Sequence, residues 1–303
     1  MKENTVAIRP CLPRADWPTV IRLWRSSFGR KWAIDPDTMR RRLAGKRAWL
    51  AEINGKAAGF ATARAHGTSG RLNLLAVDPR HRRRGVGTML MKTALEWMKT
   101  RGVRRVGAAG GAFWPGVPEN LPGALRFFRK HGWKTGERYA DLTGDVSKFR
   151  APRWVMERAR EAGSVMGVAK PSDGPAIVAF EKRNFPEWYR GFRNMVRAGR
   201  YDDILMARDA AGRIQGTLMF SRRDRYIPWE SVLGRVGGFG CVGVAPRARG
   251  RGIGLAMCAR AMELLREMGG RRIFVAWVYL IKWYGQLGLR PWRTYRAVRR
   301  RLP

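Results

Sequence analysis

The sequence predicts an α/β protein made of two tandem domains, each a mixed sheet flanked by helices. The first observation is a repeated segment: VDPRHRRRGVG at 77–87 and VAPRARGRGIG at 244–254 are identical at 7 of 11 positions. A second pair of segments, LRFFRKHGWKTGERY at 125–139 and IKWYGQLGLRPWRTY at 281–295, aligns further along the chain. The third observation is that the elements predicted in each half follow one another in the same order, which indicates two copies of one domain.

In the first half, apolar spacing and turn residues predict two helices, a hairpin, a strand, a helix and a final strand. The Asn54-Gly55 pair is a strong signal for the two-residue turn that closes the hairpin. The predicted segments are 6–9 (strand), 15–29 and 35–45 (helices), 48–65 (hairpin), 71–77 (strand), 86–100 (helix) and 104–109 (strand).

The second half shows the same order, and a charged segment at 146–163 predicts a helix that connects the two copies. We therefore expect domains at 1–148 and 149–303. The first copy has eleven extra residues within the Gly- and Pro-rich stretch 110–123, which predicts an ordered loop. The matching segments of the second half are 204–220 (hairpin), 236–244 (strand), 253–269 (helix) and 272–278 (strand).

The repeated segment predicts an anion-binding loop between a strand and a helix. Glycines let the backbone N–H groups turn inward, and the N-terminus of the helix adds partial positive charge. Neither loop has the G-x-G-x-x-G pattern of dinucleotide loops or the G-x-x-x-x-G-K-[ST] pattern of ATP loops. The second copy of the loop contains Arg249, Gly250, Arg251, Gly252, Ile253 and Gly254. The first copy contains Arg82, Arg83, Arg84, Gly85, Val86 and Gly87.

The net charge of +38 over 303 residues predicts an attraction for anions such as phosphorylated cofactors or nucleic acid. The charge is spread along the chain, so a generally Arg-rich composition is the simpler explanation, and a nucleic-acid surface is less favoured. Three distant cysteines (Cys11, Cys241, Cys258) predict buried thiols in a reducing cytoplasm. No apolar stretch is long enough to span a membrane, and the three histidines lack metal-ligand spacing, so we expect no membrane segment and no metal.

These segments resemble the GNAT acyltransferase family, in two tandem copies laid out like the mycothiol synthase-type members. The resemblance implies an α/β fold with mixed, mostly antiparallel sheets and helices on both sides. It also implies that the Arg-x-x-Gly-x-Gly loops hold the pyrophosphate of acetyl-CoA. The strand before each loop would lie beside the acetyl group, which implicates Cys241, Val242, Gly243 and Val244 in the second copy and Leu75, Ala76 and Val77 in the first.

The family's aromatic-x-x-Leu-Gly-Phe motif matches Tyr284, Leu287, Gly288 and, in place of Phe, Leu289. The resemblance therefore implies that Tyr284 protonates the departing CoA thiolate. Glu230 is the best carboxylate for the general base, although a solvated loop glutamate is the simpler interpretation. Phe128 replaces the tyrosine in the first copy, which then either binds CoA without catalysis or serves as a scaffold.

The resemblance implies an acetyl-CoA-dependent N-acetyltransferase that acts in the cytoplasm by direct attack of an amine on the thioester. The acceptor is an amine of a small molecule, an amino sugar or a peptide, and its candidate walls are 185–192, 225–232 and Trp277. The alternative is a non-catalytic CoA- or nucleic-acid-binding protein with the same fold. A covalent role for Cys241 is less favoured than a buried thiol, since no histidine motif lies nearby. The chain acts either as a monomer with two pseudo-repeats or as a homodimer.

Overall fold

The computed structural model describes residues 5–12, 14–223 and 227–303. The strands are β1 (Val6–Pro10), β2 (Arg47–Ile53), β3 (Lys56–His66), β4 (Ser69–Val77), β5 (Arg105–Ala108), β6 (Val117–Pro118), β7 (Lys134–Asp145), β8 (Val165–Val168), β9 (Ile204–Arg208), β10 (Ile214–Ser221), β11 (Gly237–Val244), β12 (Arg272–Val278) and β13 (Arg290–Arg301). The helices are α1 (Trp17–Phe28), α2 (Pro36–Leu43), α3 (Val86–Lys99), α4 (Pro122–Lys130), α5 (Arg153–Glu161), α6 (Gly174–Asn184), α7 (Pro186–Arg197), α8 (Glu230–Leu233), α9 (Ile253–Glu267) and α10 (Ile281–Gly285).

The chain forms two compact units that are interleaved in sequence. Unit 1 contains Met1–Ala140, Ile227–Gly234 and Arg293–Pro303, and unit 2 contains Asp141–Tyr226 and Arg235–Trp292. Unit 1 therefore includes most of β13, and unit 2 includes the last residues of β7. The division of the repeats at 148/149 stays a prediction. It differs from these units at 141–148, at Ile227–Gly234 and at Arg293–Pro303.

The sheet of unit 1 has the order β1-β2-β3-β4-β5-β13. Neighbouring strands are antiparallel except β4 and β5, which are parallel. The predicted hairpin turn is present, because Asn54 and Gly55 both have positive φ values, 51° and 71°. A cluster of stacked and edge-on aromatic rings fills the core beside α1, and its members include Trp24, Trp32, Phe113, Trp114 and Trp229.

The sheet of unit 2 has the order β12-β11-β10-β9-β8, with the end of β7 beside β12. β11 and β12 are parallel, and the pairs from β11 to β8 are antiparallel. Helix α9 packs against β9, β10 and β11, and α6 packs against β10. The prediction of mixed, mostly antiparallel sheets flanked by helices is confirmed. No helix in the described ranges has the length and apolar character needed to cross a membrane.

Candidate active site

The two predicted anion loops have nearly the same backbone. The residue before the helix is Gly252 (φ 81°, ψ −10°) ahead of α9 and Gly85 (φ 81°, ψ −13°) ahead of α3. An arginine closes each loop onto the preceding strand. Arg249 Nε donates to the Val244 carbonyl at 3.0 Å, and Arg82 Nε donates to the Val77 carbonyl at 3.2 Å. Both loops therefore lead into a helix N-terminus, whose N–H groups without partners inside the helix suit an anion.

The surroundings of the two loops differ. In unit 2, the α5 residue Arg158 donates to the Gly250 carbonyl at 3.1 Å, and its side chain covers Gly252. A Cβ atom at 252 would lie 2.9 Å from Arg158 Cγ. At Gly85, a Cβ atom would meet no atom of the described residues within 4 Å. The position two residues before each of these glycines also differs. Arg83 has φ 64° in unit 1, in the left-handed region that is unfavourable for residues with a side chain. Its counterpart in unit 2 is a glycine, Gly250, with φ 77°.

The strand before each loop separates from its parallel neighbour, and the two strands share fewer residue pairs in unit 2. β11 pairs with β12 at Gly237↔Ile273 and Gly238↔Phe274, after which the described chain shows no further pair between them. β4 pairs with β5 at four positions, ending at Leu72↔Ala108. The N–H and C=O groups of β11 that face the gap are therefore left for a ligand.

An asparagine bridges the corresponding gap in unit 1. Asn73 lies four residues before the end of β4, is buried, and donates from Nδ2 to the Gly110 carbonyl at 2.8 Å. Gly240 occupies the same position of β11, and a Cβ atom there would have no described neighbour within 4 Å. The gap is thus bridged in unit 1 and open in unit 2.

β11 carries a bulge at the middle of the gap. Cys241 has φ 51°, and the pairing with β10 slips between Thr217↔Gly243 and Met219↔Gly240. A bulge of this kind leaves an extra residue outside the regular ladder. Residues 240–242 are partly exposed, whereas Gly237, Gly238 and Phe239 are buried. The N–H groups at the bulge are therefore in place to bind an oxygen atom that enters the gap.

Tyr284 lies on α10, buried in unit 2, with its ring centre 6.1 Å from that of Phe239. Burial raises the pKa of its hydroxyl, so the group stays protonated at neutral pH. Its counterpart in unit 1 is Phe128, also buried. A Cβ atom at Gly254 would lie 3.4 Å from the preceding ring, Trp283, and a Cβ atom at Gly87 would lie 3.5 Å from Phe127, which supports the alignment of these segments.

The remaining predicted residues are placed as follows. Burial, together with the charges of Glu181 and Glu187, raises the pKa of Cys241 to about 12, so its thiol is not a nucleophile at neutral pH. Glu230 begins α8 and belongs to unit 1, whereas Tyr284 belongs to unit 2. Trp277 is 40% exposed, with φ 60°. Residues 225 and 226 of the predicted acceptor wall lie outside the described residues.

One site residue was missed by the sequence analysis. Glu181 on α6 is fully buried and accepts a hydrogen bond from Thr217 Oγ1. Its other oxygen, Oε2, has no hydrogen-bond partner among the described residues. Burial raises the pKa of the carboxyl to about 7, although the Thr217 hydrogen bond opposes the shift. A comparison of the two repeats would have identified it, since Glu181 is a charged residue where α1 has Trp24.

The chain was compared with known proteins. The sequence model of the Acetyltransferase (GNAT) family matches residues 17–133 and 175–288. The mycothiol acetyltransferase of Clavibacter sepedonicus is 30% identical over 68% of this chain and 63% of its own length. The corresponding protein of Clavibacter michiganensis is 29% identical, with 66% of its length covered, so the chain spans a little under two thirds of these curated relatives.

Two solved structures resemble the whole chain. The first is a GCN5-related glucosamine N-acetyltransferase region of a fungal multi-domain GH3 β-N-acetylglucosaminidase, with 30% identity and a TM-score of 0.87. That match covers 99% of this chain and 38% of the fungal one. The second is a tandem GNAT protein from the clavulanic acid biosynthesis pathway, with 15% identity, a TM-score of 0.62 and 98% of each chain covered. The second likeness concerns the fold.

We predict that Gly243→Ala destabilises unit 2. A Cβ atom there would lie 2.5 Å from Phe185 Cε2 and 2.9 Å from two further ring carbons. The ring must move, which typically costs about 1–3 kcal/mol. Chemical denaturation would measure the loss, with Gly240→Ala as the matched control because its added methyl group enters open space. Equal stability of the two variants would contradict the packing described here.

We also predict a pH dependence of stability that comes from Glu181. Its pKa is about 7 in the folded protein against an ordinary 4.5, so the folded state holds a proton that the unfolded state releases. Stability should therefore fall as the pH rises from about 4.5 to about 7, by about 3 kcal/mol. Unfolding free energies at about pH 5 and pH 8 would show this fall in the wild type and not in Glu181→Gln. Parallel pH dependence of the two proteins would contradict the shifted pKa.

Proposed function

The chain belongs to the GNAT acetyltransferase family, and from this premise we propose that it is an acetyl-CoA-dependent N-acetyltransferase with its active site in unit 2. The observation that carries the proposal is the gap between β11 and β12, with a glycine at 240, a bulge at Cys241 and the hydroxyl of Tyr284. The matching gap in unit 1 has an asparagine bridge and a phenylalanine.

The residues of unit 2 fit acetyl-CoA. The loop 249–254 supplies backbone N–H groups at the start of α9 for the pyrophosphate, and Arg158 and Arg251 add positive charge. Gly240 leaves room beside β11 for a thin, extended arm. When bound, acetyl-CoA supplies the acetyl group as a thioester, whose carbonyl carbon accepts the amine.

The backbone of β11 polarises that carbonyl. An N–H group at the bulge donates a hydrogen bond to the thioester oxygen, which gains negative charge as the amine attacks. A fixed donor of this kind typically contributes roughly 3–4 kcal/mol to transition-state stabilisation. The donor is fixed because the backbone at Cys241 (φ 51°) is held between β10 and the residues of α6 and α7.

Tyr284 donates its hydroxyl proton to the sulfur atom as the carbon–sulfur bond breaks. The carbon–nitrogen bond forms from the lone pair of the neutral amine, and the electron pair of the carbon–sulfur bond leaves with sulfur. One proton of the attacking nitrogen then restores the tyrosine hydroxyl. The raised pKa of Tyr284 ensures that the donor is protonated before each turnover.

Unit 1 is proposed to lack this chemistry. Its loop keeps the shape of the phosphate-binding loop, so it either binds CoA or serves as a scaffold. Phe128 has no proton to donate, and the Asn73 bridge occupies the gap. Glu230 remains a predicted base, but it belongs to this unit.

The acceptor is proposed to be an amino sugar or another small amine, with a peptide amine as a further possibility. An amino-sugar acceptor is supported by the fungal glucosamine N-acetyltransferase region, which is 30% identical to this chain. Exposed aromatic side chains near the end of β12, Trp277 and Tyr279, suit contact with a sugar ring. The three cysteines are free thiols, which agrees with the reducing cytoplasm that we propose as its location.

We predict that Tyr284→Phe lowers turnover by about 100-fold or more, since a positioned general acid contributes about that factor. Binding of acetyl-CoA should be nearly unchanged, because the ring remains. Thiol release from acetyl-CoA with glucosamine, lysine or a short peptide as acceptor would measure turnover, and calorimetry would measure binding. Tyr139 of unit 1 supplies the control, since Tyr139→Phe should retain activity. Equal rates in both variants would contradict the role of Tyr284.

We predict that the two loops differ in their importance for turnover. Gly252→Val places a side chain at φ 81° and against Arg158, so it should abolish binding in unit 2 and turnover with it. Gly85→Val introduces the same backbone strain in unit 1 and should leave most turnover intact. Thiol release from acetyl-CoA by the two variants would show which loop turnover requires. Loss of activity in Gly85→Val alone would place the active site in unit 1.

A further inference from the structure

We propose that Glu181 is the general base that takes the proton from the acceptor amine; this inference rests on the proposed function. No glutamate or aspartate lies on β11 itself, and Glu230, which precedes β11 along the chain, belongs to unit 1. The structure supplies one from the helix packed over that strand.

The two oxygens of the Glu181 carboxyl have different surroundings. α6 packs against β10, and Thr217 of β10 donates its hydroxyl hydrogen to Glu181 Oε1. Thr217 pairs with Gly243 of β11, two residues beyond the bulge at Cys241. Oε2 has no hydrogen-bond partner among the described residues, although the side chain is fully buried. A buried carboxylate oxygen without a partner is costly unless a ligand or water occupies the space beside it.

Unit 1 shows that the fold does not require the hydrogen-bonded pair of Glu181 and Thr217. Glu181 lies seven residues after the first residue of α6, and Trp24 lies seven residues after the first residue of α1. Thr217 and Phe60 also occupy equivalent positions. Each follows a glycine that pairs with the last residue of the strand before the loop: Gly216 with Val244, and Gly59 with Val77.

In unit 1, therefore, a tryptophan and a phenylalanine, both buried, occupy the positions of the glutamate and the threonine. Trp24 donates its indole N–H to the Trp32 carbonyl at 2.7 Å and takes part in the aromatic cluster. The fold accepts large apolar side chains at both positions. The polar pair of unit 2 thus points to chemistry, in the same unit that holds Tyr284 and the open gap.

The carboxyl of Glu181 lies near the bulge, because its charge contributes to the raised pKa of Cys241. Cys241 packs against the cluster formed by α6, α7 and β9, on the side of the sheet where α6 lies. Phe185, four residues after Glu181, covers Gly243. Residues 240–242 are partly exposed, so the acceptor nitrogen is proposed to approach the bulge there and to pass its proton to the carboxylate, directly or through one water.

The charges around Glu181 suit a base that works near neutral pH. Glu187 of α7 and Cys241 of β11 are the titratable groups whose interactions reach it, and Thr217 supplies the hydrogen bond from β10. Burial and the Glu187 charge raise the pKa of Glu181 to about 7. A general base is most effective when its pKa lies near the working pH.

Glu181 and Tyr284 together account for each proton that is transferred in the proposed reaction. An acceptor ammonium transfers one proton to the Glu181 carboxylate and becomes a neutral amine, which forms the carbon–nitrogen bond. The thiolate receives the Tyr284 proton, and the nitrogen returns a proton to Tyr284. The Glu181 carboxyl then releases its proton to water, so each cycle yields one amide, one thiol and one proton. Glu187 is exposed and Cys241 is protonated, so neither replaces Glu181 in this cycle.

The test is the pH profile of kcat/KM for the full chain, measured as thiol release from acetyl-CoA. The acceptor is whichever of glucosamine, lysine and a short peptide gives the highest activity. The wild type should lose activity below about pH 7 as Glu181 becomes protonated. Glu181→Gln should lower kcat/KM by about 100-fold and remove that acidic limb, while calorimetry shows unchanged acetyl-CoA binding. Thr217→Val should shift the limb to higher pH, because it removes the donor that stabilises the carboxylate.

Glu187→Gln is the matched control, since it removes an exposed carboxylate from the same region. It should retain activity and shift the limb to lower pH. A Glu181→Gln variant with the wild-type rate and an unchanged acidic limb would overturn the inference and leave the proposed function in place. Absence of thiol release by the wild type with every amine would overturn the proposed function and this inference with it.

Discussion

The separation of two parallel strands is the constraint on which the proposed site depends. β11 and β12 share two residue pairs and then diverge, so one edge of β11 loses its sheet partner inside the unit. Buried backbone groups need hydrogen-bond partners, and a divergent pair of strands can only be stable if side chains, water or a ligand supply them. In unit 1 the Asn73 side chain bridges the same gap. In unit 2 glycine stands at that position, and the edge is left to a ligand.

The duplicated chain separates what the fold requires from what the chemistry requires. Both units keep the left-handed glycine before the helix and the arginine that closes the loop onto the strand. These features therefore belong to the shared architecture. Three positions near the proposed site hold a glutamate, a threonine and a tyrosine in unit 2, against a tryptophan, a phenylalanine and a phenylalanine in unit 1. The opposite exchange occurs at the gap, where unit 1 has Asn73 and unit 2 has Gly240. Both kinds of difference are expected when one copy keeps an activity and the other keeps the fold.

Local signals in the sequence predicted much of this arrangement. The glycines and arginines of the loops, the Asn54-Gly55 turn and the apolar periodicity act within a few residues, so they were readable without the structure. The membership of β13 in unit 1 could not be predicted from the sequence. Its pairing with β5, such as Val298↔Ala108, joins residues about 190 positions apart, and no local signal predicts such a pair. Glu181 was missed for a similar reason. Its meaning lies in burial and in an unpaired oxygen, whereas Glu230 was chosen for its nearness to β11 along the chain.

The central claim is that acetyl-CoA reacts in unit 2, and a crystal structure of the protein with bound CoA tests it most directly. We predict that the pyrophosphate lies on the loop 249–254 and that the pantetheine arm enters the gap between β11 and β12, with the sulfur atom beside Tyr284. A second CoA molecule on the loop of unit 1 is compatible with this claim, provided that its arm does not enter the gap bridged by Asn73. A pantetheine arm between β4 and β5, with no ligand between β11 and β12, would contradict it.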